Sequence, residues 1–214
     1  MTAVFVTGTG TEIGKTFVTT QLIGQLRAEG RAVRALKPLI SGFDAAAPEG
    51  SDAAVLLAAM GLGPSAENIA AISPWRYARP LAPNMAARAE GEVVDMDAVV
   101  EFCGAEMARA EAAGETLLIE GVGGIMSPVS DDATNLDWIA ALEIPALLVA
   151  GTYLGAISHT LTAVAAMRAR SLEITRIVLS ESGGEQVGLA ETAAELERFL
   201  AGIQVQEVAR AAAS

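Results

Sequence analysis

The chain has a single cysteine, Cys103, among 214 residues. One thiol can neither close an intramolecular disulfide nor supply a cysteine-based zinc site. It lies in "AVVEFCGAEMARA", a helical pattern in which a buried structural thiol is expected. Basic residues are also scarce: 14 Lys and Arg stand against 26 Asp and Glu, for a net charge of −12. Such a chain repels phosphate backbones at long range, so general nucleic-acid binding is not expected. The same imbalance means that an anionic substrate must be met by local donors. There is no long apolar run. The longest stretch, "IPALLVAGTYLGAI", is too short to span a bilayer and contains two glycines. The first residues pass directly into "AVFV", without the basic start and cleavage site of a signal peptide. A cytoplasmic protein without membrane contact is the expectation.

What the chain has in quantity is apolar surface, at 52% hydrophobic residues. That suffices for one well-buried core, and residues 1–214 read as a single domain whose tail frays from about position 208. Short β-branched runs alternate with longer Ala/Leu-rich amphipathic segments. Strands are predicted at 3–7, 32–37, 116–120, 146–150 and 174–180, with an edge strand in "GIQVQEVA". Helices are predicted at 14–29, 52–60, 97–113, 134–142, 158–170 and 188–200. Continuously apolar strands separated by helices imply an α/β fold with a mostly parallel sheet and helices on both faces. The segment "SPWRYARPLAPN" is expected to be an ordered loop that buries Trp75, Tyr77 and Leu81.

The motif "VTGTGTEIGKT", residues 6–16, falls between the first strand and the first helix, where open parallel sheets bind ligands. A helix entrance offers unpaired N–H groups and partial positive charge, and glycines let the backbone approach a phosphate closely. Lys15 can reach terminal phosphates and Thr16 can place its hydroxyl on Mg²⁺. The usual pattern G-x-x-x-x-G-K-[ST] needs a glycine at position 9, which is Thr9; the spacing from Gly8 is one residue longer. A dinucleotide fingerprint fails, because it needs a glycine at Ile13 and an acid where the second strand ends at Lys37. A carboxylate for the metal is expected at a strand end, and "TLLIEGVGG" offers Glu120. Asp52 is the second candidate, although Ser51 or Asp52 could equally cap the next helix. Lys37 at the end of the second strand suits an enzyme that stabilises negative charge on a transferring phosphoryl group. The alternative is a surface lysine.

Taken together, several segments resemble one family, the dethiobiotin synthetases. They are the long loop Gly8 to Thr16, "KPLISG" (37–42), "GSDAAVL", "SPWRYARPLAPNMAARAEG" (73–91), "LLIEGVGGIMSP" (117–128), "NLDWIAALEIPALLVAG" (135–151) and "YLGAISHTLTA" (153–163). The resemblance implies a phosphate-loop NTPase fold and a homodimer. It implies closure of the ureido ring of dethiobiotin from 7,8-diaminopelargonic acid, CO₂ and MgATP, through a carbamate and a carbamic-phosphoric anhydride. By the same resemblance, Lys15, Lys37, Thr11 and Ser41 surround the phosphates and the carbamate. Glu12, Ile13, Gly14, Lys15, Thr16, Phe17, Glu120, Gly121, Val122, Gly123, Ser180 and Glu181 correspond to nucleotide-binding positions. Thr16, Asp52 and Glu120 correspond to the metal site. Ser41 and the segment Gly155, Ala156, Ile157 and Ser158 correspond to substrate contacts, the latter across the dimer interface. A helix entrance at that segment suits a carboxylate.

The chain departs from the family pattern at Gly10, Ala82, Asn84 and Ser158. Ser180 and Glu181 stand where an asparagine–aspartate pair often reads adenine. The carbamate and triphosphate are both anionic, so Lys15, Lys37 and Mg²⁺ are expected to offset their repulsion. The sole histidine, His159, is expected to be structural. Two other readings use the same loop: an amide-forming ligase acting on another carboxylated substrate, and a non-enzymatic nucleotide switch or partitioning ATPase. Against the last, no lysine lies between Gly8 and Lys15 and no N-K-x-D string occurs.

Overall fold

A computed structural model describes residues 3–182 and 187–210. Six strands form one parallel sheet in the order β2-β5-β1-β6-β7-β8. Their spans are β1 Ala3–Gly8, β2 Val33–Leu36, β5 Thr116–Glu120, β6 Ala146–Ala150, β7 Ile174–Ser180 and β8 Val205–Val208. Every residue of β5 and β6 is buried. Side chains alternate between the faces of a strand, so burial of consecutive residues means that both faces are covered. The cover comes from helices α1 (Lys15–Ala28), α2 (Asp52–Ala59), α5 (Met96–Ala113), α6 (Asn135–Leu142), α7 (Ala156–Ala169) and α8 (Leu189–Phe199), which pack in pairs, α1 with α2, α5 with α6 and α7 with α8. The edge strand in "GIQVQEVA" is β8, beside β7 at the end of the sheet.

Helix ends follow the local chemistry. Ser51 caps α2 by accepting from the Ala54 N–H at 3.2 Å. Asp95 caps α5, and Gly114 ends it in the left-handed conformation that glycine adopts at little cost. Thr134 and Asp137 form a reciprocal capping box on α6. Cys103 is buried on α5, and burial, with Glu106 nearby, pushes its thiol up to about 12, as befits a structural cysteine.

The stretch between β2 and α5 holds more regular structure than expected. Two three-residue strands, β3 (Leu39–Ser41) and β4 (Trp75–Tyr77), pair in parallel as a second sheet. Two seven-residue helices, α3 (Ala66–Ile72) and α4 (Pro83–Ala89), lie in the same region. "SPWRYARPLAPN" is therefore part strand and part helix entrance rather than a loop. Tyr77 is buried and Trp75 stacks edge-on against Phe102, but Leu81 is exposed. Pairing of β3 with β4 fixes the backbone of Ser41. Among the described residues, no helix is long and apolar enough to cross a membrane. The expected fraying of the tail falls mostly on residues 211–214, outside the described residues. Arg210, the first residue of "RAAAS", is instead docked on Glu181, whose carboxylate accepts from its backbone N–H at 3.1 Å.

Candidate active site

The carboxyl ends of β1, β2 and β5 and the entrance of α1 meet at one cavity of about 600 Å³. The size suits a nucleotide-sized ligand. Its walls include Thr11, Glu12, Gly14, Lys15, Thr16 and Phe17 from the loop and α1, and Lys37, Ser41, Asp52, Val122, Gly123 and Arg210 from elsewhere. Gly14 caps α1 with φ of 95°. Any side chain there would be strained, and its Cβ would collide with the Arg210 guanidinium and the Ser180 hydroxyl. The loop closes against the segment after β5: Ile125 N–H donates to the Gly8 carbonyl at 2.7 Å. A Cβ on Gly124 would press on the backbone of Thr9 and Gly10.

The chain has two lysines in all, and both end at this cavity. Lys15 Nζ donates to the Gly10 carbonyl at 2.8 Å, curling back along its own loop. Burial, together with the neighbouring Lys37 charge, lowers its pKa to about 8. Lys37 lies between two carboxylates, 2.6 Å from Glu120 Oε1 and 2.9 Å from Asp52 Oδ2. Burial disfavours its charge, but Glu120 and Asp52 outweigh burial and raise its pKa to about 12. Lys37 is therefore no surface lysine. Burial also works against ionisation of Asp52, and Lys37 more than offsets it, so that carboxyl is held below the usual range. Because Ser51 supplies the cap of α2, the Asp52 carboxylate is left to face Lys37.

Glu120 is 0% exposed and does not itself line the cavity. Its Oε1 accepts from Thr16 Oγ1 at 2.6 Å and from Lys37, and its Oε2 accepts from Thr19 Oγ1 at 2.7 Å. Thr19 is a participant the sequence reading missed. Its signal was the spacing: three residues after Thr16 on a helix, it shares that residue's face. The donor set around Thr16 fits Mg²⁺, which favours hard oxygens and usually takes one or two carboxylates plus phosphate oxygens. Asp52 and Thr16 face the cavity, with Glu120 directly behind Thr16.

Other predicted residues are placed less directly. Ile13 is buried and borders a second, shallower cavity beside the loop, with Thr9, Gly10, Tyr153 and His159. Gly121 contributes its carbonyl, 3.3 Å from Lys37 Nζ. Ser41 Oγ is buried without a hydrogen-bond partner among the described residues. Ser180 is fully buried, and Arg210 Nε donates to its hydroxyl at 3.1 Å. Glu181 holds the Arg210 backbone. Gly155, with φ of 95°, opens α7, but none of Gly155–Ser158 lines the main cavity. His159 is exposed, with Nδ1 2.8 Å from the Tyr153 hydroxyl, on the rim of the second cavity. Arg210 was not anticipated, and nothing in its Ala-rich surroundings could have signalled it.

A phosphate-binding loop at the entrance of α1, a buried carboxylate at the end of β5 and a parallel sheet with β1 near its centre define a phosphate-loop NTPase. A family model described as an AAA domain matches residues 2–209. An ATP-dependent dethiobiotin synthetase of Methylobacterium nodulans is 48% identical, over 98% of this chain and 94% of the relative. Another, of a Caulobacter strain, K31, is 50% identical over 94% of this chain and 85% of the relative. Among solved structures, a ParA family ATPase from Chlorobium tepidum aligns over 99% of this chain and 86% of its own, with a TM-score of 0.54 and 11% identity. That likeness is one of fold alone. The chain belongs to the dethiobiotin synthetase family.

Proposed function

We propose that this protein catalyses the ATP-dependent ring closure of 7,8-diaminopelargonic acid with CO₂ to dethiobiotin, in biotin biosynthesis and in the cytoplasm. The observation that carries the residue-level reading is the convergence on one cavity at the α1 entrance of both lysines and the Ser41 hydroxyl, which has no hydrogen-bond partner among the described residues. An amine of the substrate captures CO₂ as a carbamate. Ser41 Oγ and Lys37 Nζ are the donors that orient it. Lys15 and the N–H groups at the entrance of α1 hold the triphosphate and align its terminal phosphorus with the carbamate oxygen. The carbamate oxygen attacks that phosphorus, the bond to the ADP oxygen breaks, and the second amine then displaces phosphate from the anhydride. Negative charge grows on the transferring group, and Lys15 and Lys37 stabilise it in place. Mg²⁺ would supply positive charge to offset that of the phosphates. Asp52 and Thr16 would hold it, with Glu120 fixing the Thr16 hydroxyl.

The site also calls for a second copy of the chain. The α7 entrance that suits the substrate carboxylate stands away from the main cavity, and Leu154, 76% exposed, adjoins it. Met126, 55% exposed, lies with His159 and Thr162 around a further shallow cavity. A homodimer would cover these side chains and bring a partner's Gly155–Ser158 to the substrate. The test is phosphate release with MgATP and bicarbonate, with and without the diamine. Diamine-dependent release that falls by about 10² to 10³ in Lys15→Ala is expected, the loss typical of one charge-stabilising donor. Release that ignores the diamine would overturn the reading.

A further inference from the structure

We propose that Arg210 is a nucleotide-binding residue that meets the nucleoside end of the nucleotide, and that base selection passes through its guanidinium rather than through Ser180 and Glu181. The inference rests on the reading that the main cavity holds a nucleoside triphosphate. Lys15, Lys37 and Asp52 occupy the end of the cavity where terminal phosphates and metal belong. The nucleoside is then left with the end formed by Gly14, Phe17 and Arg210. There the Arg210 guanidinium carbon lies 5.7 Å from the centroid of the Phe17 ring. A Cβ on Gly14 would strike the same group, so the missing side chain makes room for it.

The arginine is held in place and still has donors to spare. Parallel pairing of β7 with β8 puts Ser180 opposite Val208 and delivers the chain end to the cavity. Glu181 accepts from the Arg210 backbone N–H and Ser180 accepts from Nε. Among the described residues, no carboxylate lies within ion-pair distance of the guanidinium. Arg210 borders both the main cavity and the shallower one beside the loop. Ser180, buried behind it, has no face toward a ligand, so Arg210 covers the place from which the β7 end would read a base.

A guanidinium is a flat donor that cannot accept a hydrogen bond. It can stack on a base or donate to base acceptors such as N7, and it pairs well with guanine O6 and N7. It cannot accept from the exocyclic amine of adenine. The site therefore grips the nucleoside without testing for that amine. The experiment is calorimetric titration, with Mg²⁺ present, of ADP, GDP and inorganic tripolyphosphate into the wild type, Arg210→Ala and Arg210→Lys. In the wild type, ADP and GDP should bind within about tenfold of each other. Arg210→Ala should weaken both by about tenfold or more, as for loss of a charged donor, and Arg210→Lys should not restore them. Tripolyphosphate binding should be unchanged in all three, which also verifies the fold of the variants. Wild-type preference for ADP beyond about a hundredfold would overturn the proposal. So would unchanged nucleotide binding in Arg210→Ala, or equal weakening of tripolyphosphate. None of these titrations needs the diamine. A wild type that binds the nucleotides but shows no diamine-dependent turnover would refute the enzymatic reading and leave this one standing.

Discussion

The phosphate half of the cavity and the half that must receive the organic substrate are built differently. In the first, both lysines already have partners within the chain: Lys15 with the Gly10 carbonyl, and Lys37 with Glu120 and Asp52. The parts come from strand ends of one sheet, from the helix that follows β1 and from the first residue of α2, so folding alone brings them together. In the second, Ser41 has no partner among the described residues, the α7 entrance stands apart, and Leu154 is 76% exposed. Phosphate chemistry is the same for every substrate, and one chain can finish that half in advance. On the proposed function, substrate recognition would be left to surfaces that meet later, a second protomer or the ligand itself.

The sharpest way to break the finished half is at its buried centre. Glu120→Gln keeps the shape but puts an amide NH₂ where one of three donors, from Thr16, Thr19 and Lys37, now points. In either amide orientation the Thr16 hydroxyl loses its anionic acceptor. A group that orients a metal ligand is typically worth about 10- to 100-fold in metal affinity. The Mg²⁺ concentration for half-maximal phosphate release should rise by that factor, with far-UV circular dichroism unchanged. An unaltered Mg²⁺ titration would remove Glu120 from the metal site. The unfinished half is tested at Leu154. Leu154→Glu places a charge in the proposed interface. Sedimentation should show monomers, and KM for the diamine should rise by about tenfold, the cost of one lost charged hydrogen bond at about 1.5 kcal/mol. Nucleotide binding should not change, because the phosphate half is complete in each chain. If Leu154→Glu stays dimeric with its KM unchanged, the two halves do not divide at this surface.

The same division governs what the sequence disclosed. Strands β5 and β6 were legible because "TLLIE" and "ALLVA" are apolar at consecutive positions, a pattern that only a doubly covered sheet requires. Lys15, Lys37 and Glu120 were legible because charged groups at the ends of apolar runs sit at the ligand-binding edge of such a sheet. Strands β3 and β4 were not, since three residues carry no usable period, and α3 and α4 at seven residues carry barely two turns. Ser51 and Asp52 could not be told apart as caps from spacing alone. The Ser51 hydroxyl takes the Ala54 N–H, which frees Asp52 for Lys37. Arg210 reaches a cavity built by residues far earlier in the chain, and it does so through the pairing of β8 with β7. No local pattern records such a contact, and its neighbours are alanines.

The smallest expected effect separates the two lysines by pH. Lys15 in the empty protein has its pKa lowered to about 8 by burial and by Lys37, and Lys37 has its own raised to about 12 by Glu120 and Asp52. Phosphates favour the charged form of Lys15. Below pH 8 the ammonium is already present, and nucleotide binds without taking up a proton there. Above pH 8 binding must recruit one, so affinity should fall with rising pH, by less than about tenfold per pH unit for a single proton. Stability moves the other way for this group. Its folded pKa lies below the unfolded value of 10.5, so between pH 8 and 10.5 the unfolded chain binds more protons and Lys15 makes the empty protein more stable as pH rises. For Lys37 the sign reverses: its stabilisation is complete below 10.5 and is lost as pH climbs through 12. Titrating ADP in buffers of different ionisation enthalpy between pH 7 and 9.5 measures the proton uptake directly. The wild type should approach one proton taken up above pH 8, and Lys15→Ala should take up none. Equal uptake in both would assign the proton to another group and place Lys15 outside the phosphate half, the part of the molecule that folding was held to complete.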